Sequence, residues 1–293
     1  MIGDGTFRRI SLIGVGLIGG SWGLALKQRG FGGHITGCDR PAVLDRALAL
    51  GAIDKAAPDL AAAVRDADLV MMATPVASIL EQLPQVKESA SPHALVTDTG
   101  STKRVILEQA RKLFGDGPLF VGGHPLAGKE QAGIEKADGT LFEDTQYVLS
   151  ALASSNLDDQ RVIAFRGLIE LVGARPFPCD AETHDRALAF LSHLPQLLST
   201  ALAGVVADED RVRALPLDLA AAGFRDMTRL AESPYAIWRD ICLTNQDGLG
   251  EALDALILKL KGIRSKLAQA ELEDEFTQAS ELRERWRKLK NRE

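Results

Sequence analysis

The stretch Arg9-Ile10-Ser11-Leu12-Ile13-Gly14-Val15-Gly16-Leu17-Ile18-Gly19 constrains the fold more than any other part of the chain. Ile10 to Ile13 reads as a buried strand, and the residues after Gly19 continue as a helix. Between them Gly14, Gly16 and Gly19 have the spacing G-x-G-x-x-G. Each glycine has its own physical task in that pattern. The first permits a tight turn, the second lets a pyrophosphate approach the backbone, and the third lets the helix pack close to the strand. The first helical N–H groups, around Leu17 and Ile18, then face an anion. A second strand, His34 to Cys38, ends at Asp39, twenty residues beyond Gly19. That is the usual place of the acid that binds a ribose 2′-hydroxyl. The pattern predicts a dinucleotide cofactor, and Asp39 favours NAD because it repels a 2′-phosphate. Arg40 works the other way, since a guanidinium accepts that phosphate.

Strand and helix alternate from residue 7 to about 150. Further strands are expected at 68–73, 94–98, 119–122 and 146–151, with helices at 41–50, 76–88 and 102–114. Alternation of this kind gives a mostly parallel sheet with helices on both faces, and ligands bind beyond the carboxyl ends of its strands. Thr74 and Pro75 follow one such strand and belong to the expected cofactor rim. From about 153 the pattern turns helical: 157–172, then 180–207 with a kink at Pro195, then 211–222, 234–244 and 247–268. The expected fold is an α/β Rossmann-type domain over 1–152 followed by an all-α domain over 153–293. In the last segment Leu272, Phe276, Ala279, Leu282, Trp286 and Leu289 form one apolar stripe, which either docks on the same chain or makes a dimer contact.

With 293 residues, 46% hydrophobic and 25% charged, the chain is globular, and its net charge of −6 leaves no footprint for nucleic acid. Three scattered cysteines, none in a CxxC pair, argue against a disulfide framework or a metal site. The first strand begins within a few residues of Met1, which leaves no room for a signal peptide. With no apolar run of about 18 residues expected, the prediction is a cytoplasmic protein without a membrane span.

Two groups carry candidate chemistry in the first half. In Asp98-Thr99-Gly100-Ser101-Thr102-Lys103, Ser101 or Thr102 either caps a helix or touches a ligand. In Gly122-Gly123-His124-Pro125-Leu126-Ala127-Gly128-Lys129-Glu130, a histidine on a loop at a strand's end suits acid–base work, and its flanking glycines would admit a ligand. In the helical half, His193 stands beside Pro195, with Arg186 seven residues earlier on nearly the same face. His184 falls on the opposite face and reads as structural. Arg229 has the fork geometry to clamp a carboxylate, or else forms a salt bridge.

Taken in order, Gly14-x-Gly16-x-x-Gly19, Asp98-x-Gly100-Ser101-x-Lys103, Gly123-His124-Pro125-x-Ala127-Gly128-x-Glu130, Ser192-His193-Leu194-Pro195, Gly223-Phe224-x-Asp226-x-Thr228-Arg229 and Trp238-Arg239-Asp240 resemble the prephenate dehydrogenases, the prephenate/arogenate group of tyrosine biosynthesis. The resemblance runs from about residue 8 to 268. It implies oxidative decarboxylation: hydride leaves C4 of the substrate ring for the nicotinamide, the ring carboxylate leaves as CO2, and the ring becomes aromatic, with no metal. It further implies His124 as the group that accepts a hydrogen bond from the 4-hydroxyl, Ser101 holding substrate and cofactor, and Arg229 on a substrate carboxylate. His193 and Glu130 would line the pocket, and the chain would pair as a homodimer through its helical half. Two positions depart from many relatives: Lys129 replaces a threonine or serine, and Gln196 replaces a histidine. Lys129, an added cation, is expected at the side chain of a dianionic substrate. A β-hydroxyacid dehydrogenase would need a lysine on the long helix, and residues 180–207 contain none.

Overall fold

The structure is a computed structural model and describes residues 6–115, 117–129 and 131–290. It divides into two compact units that meet after Gln246. The first holds one eight-stranded sheet made of β1 (Arg9–Ile13), β2 (His34–Cys38), β3 (Lys55–Ala56), β4 (Leu69–Met72), β5 (Leu95–Asp98), β6 (Leu119–Pro125), β7 (Gln146–Ala151) and β8 (Arg175–Pro178). The order is β3-β2-β1-β4-β5-β6-β7-β8, parallel throughout except where β6 meets β7. Strand order reverses between β1 and β4, and the crevice at such a switch point is where a dinucleotide lies.

The helices α1 (Leu17–Gln28), α2 (Pro41–Ala49), α3 (Leu60–Val64), α4 (Val76–Ser89), α5 (Arg104–Leu113) and α6 (Gln160–Leu171) cover the sheet. Two cores result, one on each face. Trp22 sits in the first, its ring against Phe142, Tyr147 and Phe165 at 5.4–6.0 Å. Val70, Met72, Val96 and Phe120 point into the second, against α4 and α5. β1, β4 and β5 are buried on both faces, which is why they read as unbroken apolar runs.

The sheet does not stop at residue 152. β8 pairs with β7, and Val162, Phe165 and Ile169 of α6 join the first core, so the sheet-bearing part extends to Pro178. Pro176 and Pro178 hid this strand in the sequence, and both are tolerated because β8 is an edge. Next come α7 (Ala181–Leu188), a π-helical turn over Ala189–His193, α8 (Leu194–Arg213), α9 (Ala222–Thr228) and α10 (Tyr235–Thr244). The helix expected over 211–222 is absent, because α8 ends with Ala214 at φ +48° and Pro216 follows.

The expectation of no long apolar run also fails. Ala181–Arg213 is one continuous helical stretch with mean hydropathy 1.4 over an 18-residue window, long and apolar enough to cross a membrane by length and composition. His184, Asp185, His193 and Gln196 on it are nonetheless buried and hydrogen-bonded within the fold. The second unit comprises α11 (Gln246–Lys266) from its second residue and α12 (Glu273–Lys290). Within that unit the stripe residues Phe276, Leu282, Trp286 and Leu289 are exposed.

Candidate active site

Three glycines after β1 differ in what they are for. Gly14 has φ +87°, and a Cβ there would stand 2.7 Å from the Ala73 carbonyl oxygen. A Cβ on Gly19 would lie 2.0 Å from the Gly14 carbonyl oxygen, so α1 reaches β1 only through a glycine. A Cβ on Gly16, the N-cap of α1, would meet nothing within 4 Å. The turn is therefore closed at Gly14 and Gly19 and open at Gly16, the shape a pyrophosphate needs. Asp39 directly follows β2, where its carboxylate accepts from Val15 N at 2.8 Å and from Arg40 N at 2.7 Å. The Arg40 side chain is exposed, with Nε 3.8 Å from Asp39 Oδ1. Thr74 and Pro75 follow β4 across the switch point, and Thr74 Oγ1 donates to Gln82 Oε1 at 3.1 Å.

Asp98 and Lys103 form an ion pair with both side chains fully buried. Burial pushes the Lys103 ammonium pKa down, and the Asp98 carboxylate opposes that shift. Asp98 also accepts from Gly100 N at 2.8 Å and Gly123 N at 3.1 Å. One carboxylate thus fastens the Ser101 loop to the strand that carries His124. Ser101 itself is partly exposed at the carboxyl edge of the sheet. It is not the N-cap of α5, and neither is Thr102, whose hydroxyl meets Thr244 Oγ1 at 2.8 Å.

His124 lies not on a loop but near the end of β6, opposite Val148 of β7. The flanking Gly122 and Gly123 serve packing rather than ligand approach. A Cβ on Gly123 would stand 2.5 Å from the Asp98 carbonyl oxygen, and one on Gly122 2.6 Å from Leu107 Cδ1. His124 Nδ1 is 2.8 Å from His184 Nε2, and His184 Nδ1 is 2.7 Å from Asp185 Oδ1. Asp185 reaches further: its carboxylate accepts from Lys103 N at 2.7 Å and Arg104 N at 2.9 Å, capping α5 from another helix. Burial would raise the Asp185 pKa, but the hydrogen bonds from His184 and these two N–H groups hold it below the usual carboxylate value. Burial, reinforced by His184, Lys103 and His193, pushes the His124 pKa well below 6.5, so the imidazole is neutral at neutral pH.

His184 corrects the expectation that it lies on the face opposite His193: both side chains are buried. Residues 184 and 193 are nine apart, about half a turn out of phase in an α-helix. The π turn over Ala189–His193 takes up one extra residue, which leaves about 80° between them and turns both inward. His193 is buried, with Nδ1 3.3 Å from Asn245 Nδ2 and its ring 6.0 Å from Trp238. Asn245 Nδ2 also donates to the Asp185 carbonyl at 2.8 Å. The same slip turns Arg186 outward, away from the face it was expected to share with His193. The sequence also gave no role to Asp240, which is buried and accepts from Ala77 N at the start of α4 at 3.1 Å.

Arg229 and Lys129 are exposed rather than buried with this cluster. Arg229 is exposed and opens a short 3-10 turn that Gln196 ties to α8 through the Leu230 carbonyl at 2.7 Å. Lys129 is exposed, its ammonium 3.0 Å from Asp138 Oδ2, and Asp138 titrates at about 2, chiefly because Thr140 N–H and hydroxyl bond to it. Glu130 lies outside the described residues. No group of three or more potential metal ligands occurs among the described residues.

Residues 22–177 match the family model described as prephenate dehydrogenase, nucleotide-binding domain, and residues 180–281 match prephenate dehydrogenase, dimerization domain. The chain belongs to the prephenate dehydrogenase family. It is 36% identical to a prephenate dehydrogenase of Bacillus subtilis (strain 168) over 271 residues, 91% of this chain and 72% of that one. It is similar in fold to a prephenate dehydrogenase from A. aeolicus solved with hydroxyphenyl propionate and NAD+, with TM-score 0.83, 29% identity, and 96% and 98% of the two chains covered. The Synechocystis arogenate dehydrogenase gives TM-score 0.79 at 29% identity, covering 95% and 99%. The two family segments meet at residues 177–180, directly after β8, where the sheet ends.

Proposed function

We propose that this protein carries out NAD-dependent oxidative decarboxylation of prephenate to 4-hydroxyphenylpyruvate, as a cytoplasmic homodimer. Family membership supports the reaction class, and the coupling of His124 to His184 and Asp185 supports the chemistry. Gly14, Gly16, Leu17, Ile18 and Gly19 would hold the cofactor pyrophosphate, Asp39 the adenosine ribose, and Thr74 and Pro75 the far side of the crevice. NAD+, when bound, supplies the acceptor for the hydride leaving C4.

The protein's own task is to prepare that departure. His124, neutral and held by its Nδ1, offers Nε2 to the substrate 4-hydroxyl. Accepting that hydrogen bond raises electron density at C4 and assists hydride loss. Ser101, on the loop fastened by Asp98, would hold the same end of the substrate. Arg229 would bind the ring carboxylate in bidentate fashion. His193 lines the pocket from the π turn, and Glu130 is a gating or orienting group. Lys129 is the second cation, at the pyruvyl carboxylate, where it would exchange Asp138 for the substrate.

L-arogenate carries an ammonium at that end, so it is the alternative substrate. His124→Asn tests the assignment: kcat should fall on the order of 10²–10⁴-fold with KM little changed. A variant within about threefold of wild type in kcat would remove His124 from the chemistry.

A further inference from the structure

The His184–Asp185 pair touches no substrate atom in the reaction as set out above, yet it is buried, and His184 meets the one nitrogen of His124 that the substrate does not use. We propose that Asp185 and His184 are positioning residues that fix the tautomer of His124, so that its proton sits on Nδ1 and its lone pair on Nε2. The proposal rests on His124 acting at the substrate hydroxyl.

Donors and acceptors decide where each proton sits. A carboxylate can only accept, and Asp185 already accepts from Lys103 N and Arg104 N. The His184 nitrogen 2.7 Å from it must therefore carry the proton. With Nδ1 protonated and the ring neutral, His184 presents Nε2 as an acceptor, and the nitrogen of His124 2.8 Å away donates. His124 Nδ1 then holds its proton, and Nε2 is left bare. A donating Nε2 could not accept the 4-hydroxyl hydrogen bond at all.

Asp185 is anchored by more than His184. It sits at the N-terminus of α5, where the helix macrodipole favours a negative charge. Asn245 holds its backbone carbonyl, and the π turn sets the helix register that follows. The device ties the state of His124 to the start of the helix that follows the Ser101 loop. The charged and titratable groups around it are Asp98 and Lys103 from the β5–α5 connection, Tyr147 from β7, and His193 from the π turn. Lys103 is paired with Asp98 and stays buried, so it discourages a proton on His124 without supplying one.

The experiment is 15N NMR on the full protein labelled at histidine, with His124 assigned by comparison with His124→Asn. Wild type should show His124 as the Nδ1–H tautomer; a wild-type Nε2–H tautomer would overturn the proposal without any variant of the pair. Asp185→Asn should reverse it. The amide keeps one acceptor for the three donors Lys103 N, Arg104 N and His184 Nδ1–H; with its NH2 turned to His184 Nδ1 it donates, so His184 Nε2 gains the proton and His124 becomes Nε2–H. The same variant should lose about 100-fold in kcat while KM for substrate and cofactor stays within about twofold, a split that loss of packing alone would not give. A folded Asp185→Asn protein with the wild-type tautomer and kcat would also overturn it. If wild type oxidises neither prephenate nor L-arogenate, the proposed function fails, while the tautomer result still decides the positioning claim.

Discussion

His193 is the residue whose protonation the fold opposes in a measurable range. Burial lowers its pKa from 6.5 to about 4, the nearby Asp185 charge opposing that shift and His184 adding to it. The unfolded chain takes up this proton near pH 6.5, the folded one only near 4. The stabilising contribution is therefore complete above about pH 6.5 and is lost as pH falls towards 4, by up to about 3 kcal/mol. Urea unfolding across that window should show the slope, and His193→Gln should flatten it. An unchanged slope in the variant would contradict the assignment. His124 and Arg229 stood out in the sequence because each sits in a distinctive local pattern. His184 did not, because its meaning depends on a helix register that one π turn changes, and no periodicity argument carries across that turn.

At the scale of elements, the β1–α1 turn gives a contrast between two glycines. Gly16→Ala places a methyl in open space, so thermal stability should change little, while NAD+ affinity should drop because the methyl occupies the pyrophosphate's approach. Gly19→Ala forces Cβ to within 2.0 Å of the Gly14 carbonyl, so α1 must shift and stability itself should fall by more than about 2 kcal/mol. Calorimetry for binding and thermal melting for stability separate the two. Equal effects in both assays would mean that the turn has no distinct ligand face. The glycine spacing made this element legible, and so did the apolar runs of β1, β4 and β5. β8 was not legible because two prolines broke its pattern. The caps supplied by Asp185 and Asp240 are contacts between residues 81 to 163 apart, which local sequence does not encode.

At the scale of the whole molecule, the second family segment is a dimerization domain, and the structure leaves Phe276, Leu282, Trp286 and Leu289 of α12 exposed. A row of apolar side chains of this kind marks a contact surface. Light scattering at micromolar concentration should give twice the mass of 31.5 kDa, and Phe276→Ser with Trp286→Ser should weaken the association. A monomeric mass for wild type would contradict a homodimer.

Oxidation of prephenate through His124 is tested by one measurement above the others. Initial rates of NADH formation with prephenate and with L-arogenate, in wild type and Arg229→Ala, test it most directly. The expected result is a higher kcat/KM with prephenate, and a KM for prephenate raised in Arg229→Ala by the equivalent of roughly 2–3 kcal/mol. NADH formation with neither substrate would contradict it.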